Sequence, residues 1–294
     1  MSTPHEQDYR RIAAGGATRF IAGTQIEIVR DVRLVEPPRF AVFDFDGTLS
    51  LIREGWQDVM VPLLVEVLRE TGTDESDEEL TTLVRQFVAE LTGKQTIYQM
   101  MRLAEEVRAR GGTSAEPVVY KHEYHERLMR RIGDRREALR TGAVEPEGML
   151  VPGSIELLTA LADRGVELFL ASGTDEAYVR EEADLLGLTP FFGPRIYGAR
   201  DDFRTFSKQM VIERILRENN VGGVRLIGFG DGYVEIENVK SAGGTAIAVA
   251  SDEAGRSGRP DAWKRERLIG IGADVVVPDF REWERLVEYL WEGE

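Results

Sequence analysis

Two carboxylates stand two residues apart in FDFDGTLS, residues 43–50, at the end of an apolar run. On an extended strand, side chains two apart point the same way. Asp44 and Asp46 would then share one small volume, where like charges raise each other's pKa. Further along, Ser172 in LFLASGT and Asp231 in LIGFGDG close apolar runs, and Lys208 in SKQMVIERIL opens a helical one. Together these residue types meet the needs of phosphoryl transfer. A carboxylate can attack phosphorus to form an aspartyl phosphate, dividing one hard hydrolysis into two displacements. Mg²⁺ favours hard oxygens, keeps several waters and offsets the repulsion between carboxylate and phosphate, so Asp44 and Asp231 are its expected ligands. Asp46 is then the acid that protonates a leaving alkoxide and later deprotonates the attacking water, its pKa raised by its neighbour. Ser172, Gly173 and Thr174 offer hydroxyl and backbone N–H groups to the phosphoryl oxygens, and Lys208 the remaining positive charge.

Those residues need elements that bring them together. Four short runs rich in β-branched or aromatic residues recur: RFAVFDFDG (39–47), VELFLASGT (166–174), VRLIGFGDG (224–232) and GTAIAVASD (244–252). Separated by helical stretches, they predict buried parallel strands in a βαβ arrangement. SIELLTALADRG (154–165) reads as a helix with Ser154 as N-cap and Gly165 as stop, and 175–187 and 207–220 repeat the pattern. ADVVVPDF (273–280) predicts a further strand before a terminal helix over 281–292. Parallel strands would gather Asp44, Asp46, Ser172 and Asp231 at their C-terminal ends, where open α/β sheets bind ligands.

Residues 51–148 have another texture, with helical stretches such as WQDVMVPLLVEVLRETG and DEELTTLVRQFVAELTG and almost nothing strand-like. An insertion directly after the first core strand sits above the strand ends, where a lid belongs; the alternative is a second domain with no catalytic part. The expected organisation is an α/β, doubly wound parallel-sheet (Rossmann-like) core over 39–50 and 149–294, with an α-helical cap over 51–148. An N-terminal extension over 1–38 precedes them, in which TQIEIVRDVRLV (24–35) alternates loosely enough for a short β hairpin. Three insertion residues are candidates for substrate contact. Arg53 and Glu54 follow the paired acids in SLIREGW, where a hinge would turn them toward the leaving group, and Lys94 lies in a Gly-containing loop, GKQT (93–96). For each, the alternative is a solvated loop charge.

Composition narrows the partners. A formal charge of −15 argues against non-specific nucleic-acid binding. The exception, residues 121–140, with seven basic and four acidic residues, reads as a solvated helix face laced with ion pairs, or as a basic wall over an anionic substrate. No apolar run reaches membrane-spanning length and the N-terminus carries no secretory pattern, so the expected location is the cytosol. The absence of cysteine excludes disulfides, thiolate catalysis and cysteine–zinc sites, and a zinc site built on His5, His122 and His125 is rejected. The expected partner is a small phosphorylated metabolite. Oligomeric state is not readable, and the N-terminal arm and apolar insertion positions leave a homodimer open.

In order along the chain, these residues match the four motifs of the haloacid dehalogenase superfamily, which the sequence resembles over residues 39–280. Asp44-Phe45-Asp46-Gly47-Thr48 stands for DxDGT, Ser172 for the strand-end hydroxyl and Lys208 for the helix-borne lysine. Gly230-Asp231-Gly232-Tyr233-Val234-Glu235 stands for GDxxxD, with Glu where Asp is common. The resemblance implies a C1-type helical cap, Mg²⁺ held by Asp44, the backbone carbonyl of Asp46 and Asp231, and Glu235 as a ligand or as an orienting residue behind the ligands. An acid at position 46 implies phosphate-ester chemistry, since a leaving halide needs no proton, and Gly47–Thr48 resembles the phosphatase form. The implied activity is a Mg²⁺-dependent phosphomonoester hydrolase resembling the phosphoglycolate phosphatase group, acting on a sugar phosphate or phosphorylated small acid. A phosphosugar mutase resembling β-phosphoglucomutase stays open, as does a phospho-ligand-binding scaffold without turnover. Taken singly, Asp44 and Asp46 could be N-capping acids, Ser172 a helix cap and Lys208 an ordinary helix-start lysine. Lys240, in ENVKSAGG, competes with Lys208 and is rejected because it follows the fourth motif.

Overall fold

The computed structural model describes residues 17–32, 36–200, 202–220 and 222–292. Their backbone builds one eight-stranded sheet from β1 (Arg19–Phe20), β2 (Glu27–Ile28), β3 (Phe40–Phe43), β4 (Glu167–Asp175), β5 (Ile196–Ala199), β6 (Leu226–Gly230), β7 (Thr245–Val249) and β8 (Val275–Val277). The spatial order is β1-β2-β8-β7-β6-β3-β4-β5. β8 through β5 run parallel, while β1 and β2 form an antiparallel hairpin that pairs with β8. From β3 the chain winds outward through β4 and β5, then returns to the other side of β3 for β6, β7 and β8. The strand order therefore reverses beside β3, the place where a doubly wound sheet opens a ligand crevice at its carboxyl ends.

Alternation along β3 explains why both faces are covered. Phe40 and Val42 join a cluster with Val211 and Ile215 of α8 (Lys208–Asn219), Ile236 of α9 (Tyr233–Ser241) and Leu268 of α10 (Ala262–Ile271). Ala41 and Phe43 face the opposite layer, with Leu157 and Leu161 of α5 (Ser154–Asp163), Val179 of α6 (Glu176–Leu185), Phe192 of α7 (Thr189–Phe192) and Leu286 of α11 (Trp283–Glu292). A strand buried on both sides has no polar face, hence the continuous apolar runs. Phe43 and Phe229 stack at 4.4 Å between centroids, locking the ends of β3 and β6 in register just below the polar loops.

Between β3 and α5 the chain forms α1 (Gln57–Arg69), α2 (Asp77–Leu91), α3 (Thr96–Ala109) and α4 (Pro117–Arg140). Their apolar stripes, including Leu64, Val84, Met100 and Leu128, continue the cluster on the Phe43 side of the sheet. A capping box at Ser76 and Glu79 opens α2. Among the described residues, no helix is long and apolar enough to cross a membrane.

Some expectations change. β5 was not expected, because a four-residue edge strand with a central glycine carries too little pattern to register. Ser154 is not a cap: Gly153 is the N-cap, with φ +82°, and the Ser154 hydroxyl donates to Val151 O at 2.6 Å. A Cβ at position 153 would lie 2.1 Å from Phe280 O, so no serine fits there. His5 and residues 33–35 of the expected 24–35 segment lie outside the described residues.

Candidate active site

β3 ends at Phe43, so Asp44 and Asp46 lie in the loop beyond it rather than on a strand face. Asp44 N donates to Phe229 O at 2.9 Å, continuing the β3–β6 ladder one step and seating the carboxylate at its end. Its Oδ1 accepts from Lys208 Nζ at 2.8 Å. Burial pushes the Asp44 carboxyl up and Asp231 adds to this, while Lys208 opposes both. Asp46 has other partners: Oδ2 accepts from Thr174 Oγ1 at 2.8 Å, and Arg53 Nε lies 3.8 Å from Oδ1. Its carboxyl is pushed up to about 7, first by burial and then by Glu182 and Asp44, against Arg53 and the Thr174 bond. The expected direction holds, but desolvation dominates and the paired acid is the smallest of the raising influences. The loop separates the two carboxylates into different sets of partners.

The DGT residues have structural work of their own. Gly47 adopts φ +72°, and a Cβ there would meet Asp231 Oδ2 at 2.2 Å, so only glycine lets the loop pass this close to the acid. Thr48 Oγ1 accepts from Asp231 N at 3.0 Å, and Ser251 Oγ donates to Gly47 O at 2.6 Å. These bonds tie the loops after β3, β6 and β7 into one platform.

Lys208, on the first turn of α8, is buried between Asp44 and Glu235, with its ammonium bonded to both carboxylates. The second Glu235 oxygen is buried without a partner among the described residues. Ser172 is buried at the cleft, its Oγ accepting from Thr174 N at 3.1 Å. Gly173 is overlain by the insertion: a Cβ there would be 2.8 Å from Lys94 O. Lys240 is bound to Asp274 at 2.8 Å, away from this cluster.

The insertion residues divide. Arg53 is buried and bidentate to Glu182, at 2.9 and 2.8 Å, so its guanidinium is spent inside the protein although its edge lines the cleft. The hinge turns it toward α6, where the buried Glu182 pairs with it. Glu54 lines the cleft and accepts from Arg135 at 2.8 Å. Lys94 also lines it, exposed and without an ion pair to any described residue. Its loop is latched by Gln95, whose amide donates to Phe203 O at 3.1 Å and Phe206 O at 2.7 Å, just before α8. The basic stretch 121–140 is largely paired, with Lys121 on Asp175, Arg127 on Glu66 and Arg136 on Glu181. It forms no basic wall. His125 packs between Tyr124 and Tyr178 and faces Asp175 at 3.5 Å.

Two residues were missed. Lys264 on α10 donates to Asp231 Oδ2 at 2.8 Å, Glu253 Oε1 at 2.6 Å and Ser251 Oγ at 3.0 Å. Glu253 could have been found, because it follows a strand-like run as the motif acids do; nothing local singles out Lys264.

Among the described residues, no three His, Cys, Asp or Glu side chains form a metal-holding group. Mg²⁺ keeps several waters and takes only one or two carboxylates, and Asp44 and Asp231 both line this cleft. The Asp231 charge helps push the buried Asp44 carboxyl up, and a cation between the two would relieve that repulsion. The residues therefore suit that ion.

The match to a protein-family model for haloacid dehalogenase-like hydrolases spans residues 38–243. A search of curated proteins finds no match. Among solved structures, a haloacid dehalogenase-like protein of unknown function from Agrobacterium tumefaciens is 18% identical, with TM-score 0.55 over 87% of this chain and 100% of its own. A β-phosphoglucomutase from Clostridium difficile is 15% identical, with TM-score 0.56 over 86% of this chain and 97% of its own. A predicted phosphoglycolate phosphatase from Haemophilus somnus is 15% identical, with TM-score 0.51 over 86% and 99%. At these identities the structures speak for the fold alone, while the model match covers most of the chain, including every motif from Asp44 to Glu235. By that match and by its doubly wound core with an inserted set of helices, the chain belongs to the haloacid dehalogenase-like hydrolases.

Proposed function

We propose that this hydrolase is a Mg²⁺-dependent phosphatase that cleaves a small phosphorylated metabolite through an aspartyl phosphate on Asp44. One observation carries the reading: the paired acids have different partners, Lys208 on Asp44, and Thr174 with Arg53 on Asp46. A nucleophile needs a cation beside it, whereas a proton donor needs a raised pKa and a hydroxyl to hold it in place. Each acid has what its role requires.

In the first displacement an Asp44 oxygen attacks phosphorus, the bond from phosphorus to the leaving alkoxide breaks, and Asp46 gives that oxygen its proton. In the second, Asp46 takes a proton from a water whose oxygen attacks phosphorus, and the bond from phosphorus to Asp44 breaks to release phosphate. Lys208, Ser172 Oγ and the Gly173 backbone are at hand for the phosphoryl oxygens. Glu235 acts through Lys208, holding its ammonium toward Asp44. Asp44, Asp231 and the Asp46 carbonyl would hold Mg²⁺, which when bound offsets the charge between carboxylate and phosphate. Lys264 and Glu253 keep Asp231 oriented from behind. The helical insertion serves as a lid, closed over Gly173 by the Gln95 latch.

The test is Mg²⁺-dependent phosphate release from p-nitrophenyl phosphate and a panel of phosphate esters, run beside Asp44→Asn. Activity no higher than that variant on every ester would sink the proposal. Isomerised sugar phosphate with little free phosphate would point instead to a mutase.

A further inference from the structure

The roof of the cleft holds polar groups that the chemistry does not use. Gln99 on α3 and Tyr124 on α4 both line it, and each is only 4% exposed. Neither the Gln99 amide nor the Tyr124 hydroxyl makes a hydrogen bond with a described residue. Their polar atoms open into the cleft rather than into packed interior, so they are available to a bound molecule. An amide brings two donors and a carbonyl acceptor, and a phenol one donor and an acceptor, a set that matches hydroxyl groups, which both give and receive.

Charge points the same way. Five carboxylate residues line the cleft against three cations, and with the partners of both signs, Glu182, Glu235, Arg135 and Lys264, seven acids stand against five cations. Arg53 is committed to Glu182, and Lys208 to Asp44 and Glu235. Lys94, on an exposed loop, is the one lining cation without an ion pair to a described residue. A substrate with a carboxylate besides its phosphate would bring a further anion into an acidic wall that has little left to pair with it. The cleft encloses about 100 Å³.

We propose that the leaving group is a small neutral polyol or sugar rather than a carboxylic acid, and that Gln99 and Tyr124 select it by hydrogen bonds to its hydroxyls. The inference rests on the phosphatase reading and adds to it the class of the substrate and two specificity residues.

The experiment compares matched esters that differ in one group: glycerol 3-phosphate against 3-phosphoglycerate, and glucose 6-phosphate against 6-phosphogluconate, with p-nitrophenyl phosphate reporting the chemistry. The neutral member of at least one pair is expected to lead in kcat/KM by about 30-fold or more, as a site built for hydroxyls rejects their replacement. Tyr124→Phe and Gln99→Met, checked for folding by circular dichroism and melting, should each lower the ratio of kcat/KM on that neutral ester to kcat/KM on p-nitrophenyl phosphate by about tenfold. Preference for the carboxylate member in both pairs, or an unchanged ratio in both folded variants, would overturn the inference while leaving the phosphatase standing. If p-nitrophenyl phosphate and every panel ester fail with the wild-type protein, the phosphatase reading falls and takes this inference with it.

Discussion

The strand-end loops and the helical insertion meet at one cleft but treat their polar groups in opposite ways. In the loops nearly every such group has a partner within the platform: Thr48 with Asp231, Ser251 with Gly47, Lys208 with Asp44, Thr174 with Asp46. In the insertion, Gln95 latches to the 203–206 backbone while Gln99 and Tyr124 present their polar ends to the cleft without a hydrogen bond to a described residue. Groups satisfied by one another are held still, which suits chemistry that fails when a reacting atom shifts by an ångström. Groups without an internal partner are left for whatever enters. The difference separates the reaction from the choice of substrate.

Breaking the platform should have the largest effect. Asp44→Asn should lower kcat/KM on every ester by more than about 10⁴-fold, since it removes the nucleophile, with quench-flow detecting no phosphoenzyme. Next comes the joint between the regions. Glu182→Ala strands the buried Arg53 guanidinium and should cost about 3–5 kcal/mol of stability, read as a lower denaturant midpoint; a loss below about 1 kcal/mol would mean that Arg53 reaches solvent on its own. Asp46→Asn should cost about 10²- to 10⁴-fold on alkyl phosphates and far less on p-nitrophenyl phosphate, whose leaving group needs no proton. Equal losses would undo the division of labour between the acids. Gln95→Ala, which removes the latch, should cost about 1–3 kcal/mol locally and speed amide hydrogen exchange over 92–98 and 203–207 without touching the platform. The smallest effect belongs to Ser76→Ala, which deletes the capping box of α2 far from the cleft. It should cost about 1 kcal/mol, lower Tm by a few degrees and leave kcat unchanged.

Much of the core was legible because its signals are local. A doubly buried strand must be apolar throughout, and the polar residue that ends it must lie at the crevice, so Asp44, Ser172 and Asp231 stood out at the ends of their runs. Gly47 entered only through the resemblance to DxDGT, and the structure gives the reason for it: few residues tolerate its backbone and a side chain would meet Asp231. The edge strand β5 was too short to be seen, and Lys264 reaches Asp231 from a helix with no mark of its own. The internal partner of Arg53 was hidden for a related reason. A charge next to the paired acids looks available until α6 folds against the loop and brings Glu182 to it.

The sequence by itself determined the order of the motifs and of the strands that carry them, and the chemistry that Asp44, Asp46, Ser172, Lys208 and Asp231 have in common, since these follow from apolar runs, the polar residues that end them and residue type along short stretches. Only the tertiary structure decided which acid Lys208 holds, why Asp46 resists ionisation, which cations are already spent and which insertion side chains face the cleft. Those depend on burial and on pairs more than a hundred residues apart, such as Lys208 with Asp44 and Arg53 with Glu182. No window of sequence contains both members of either pair.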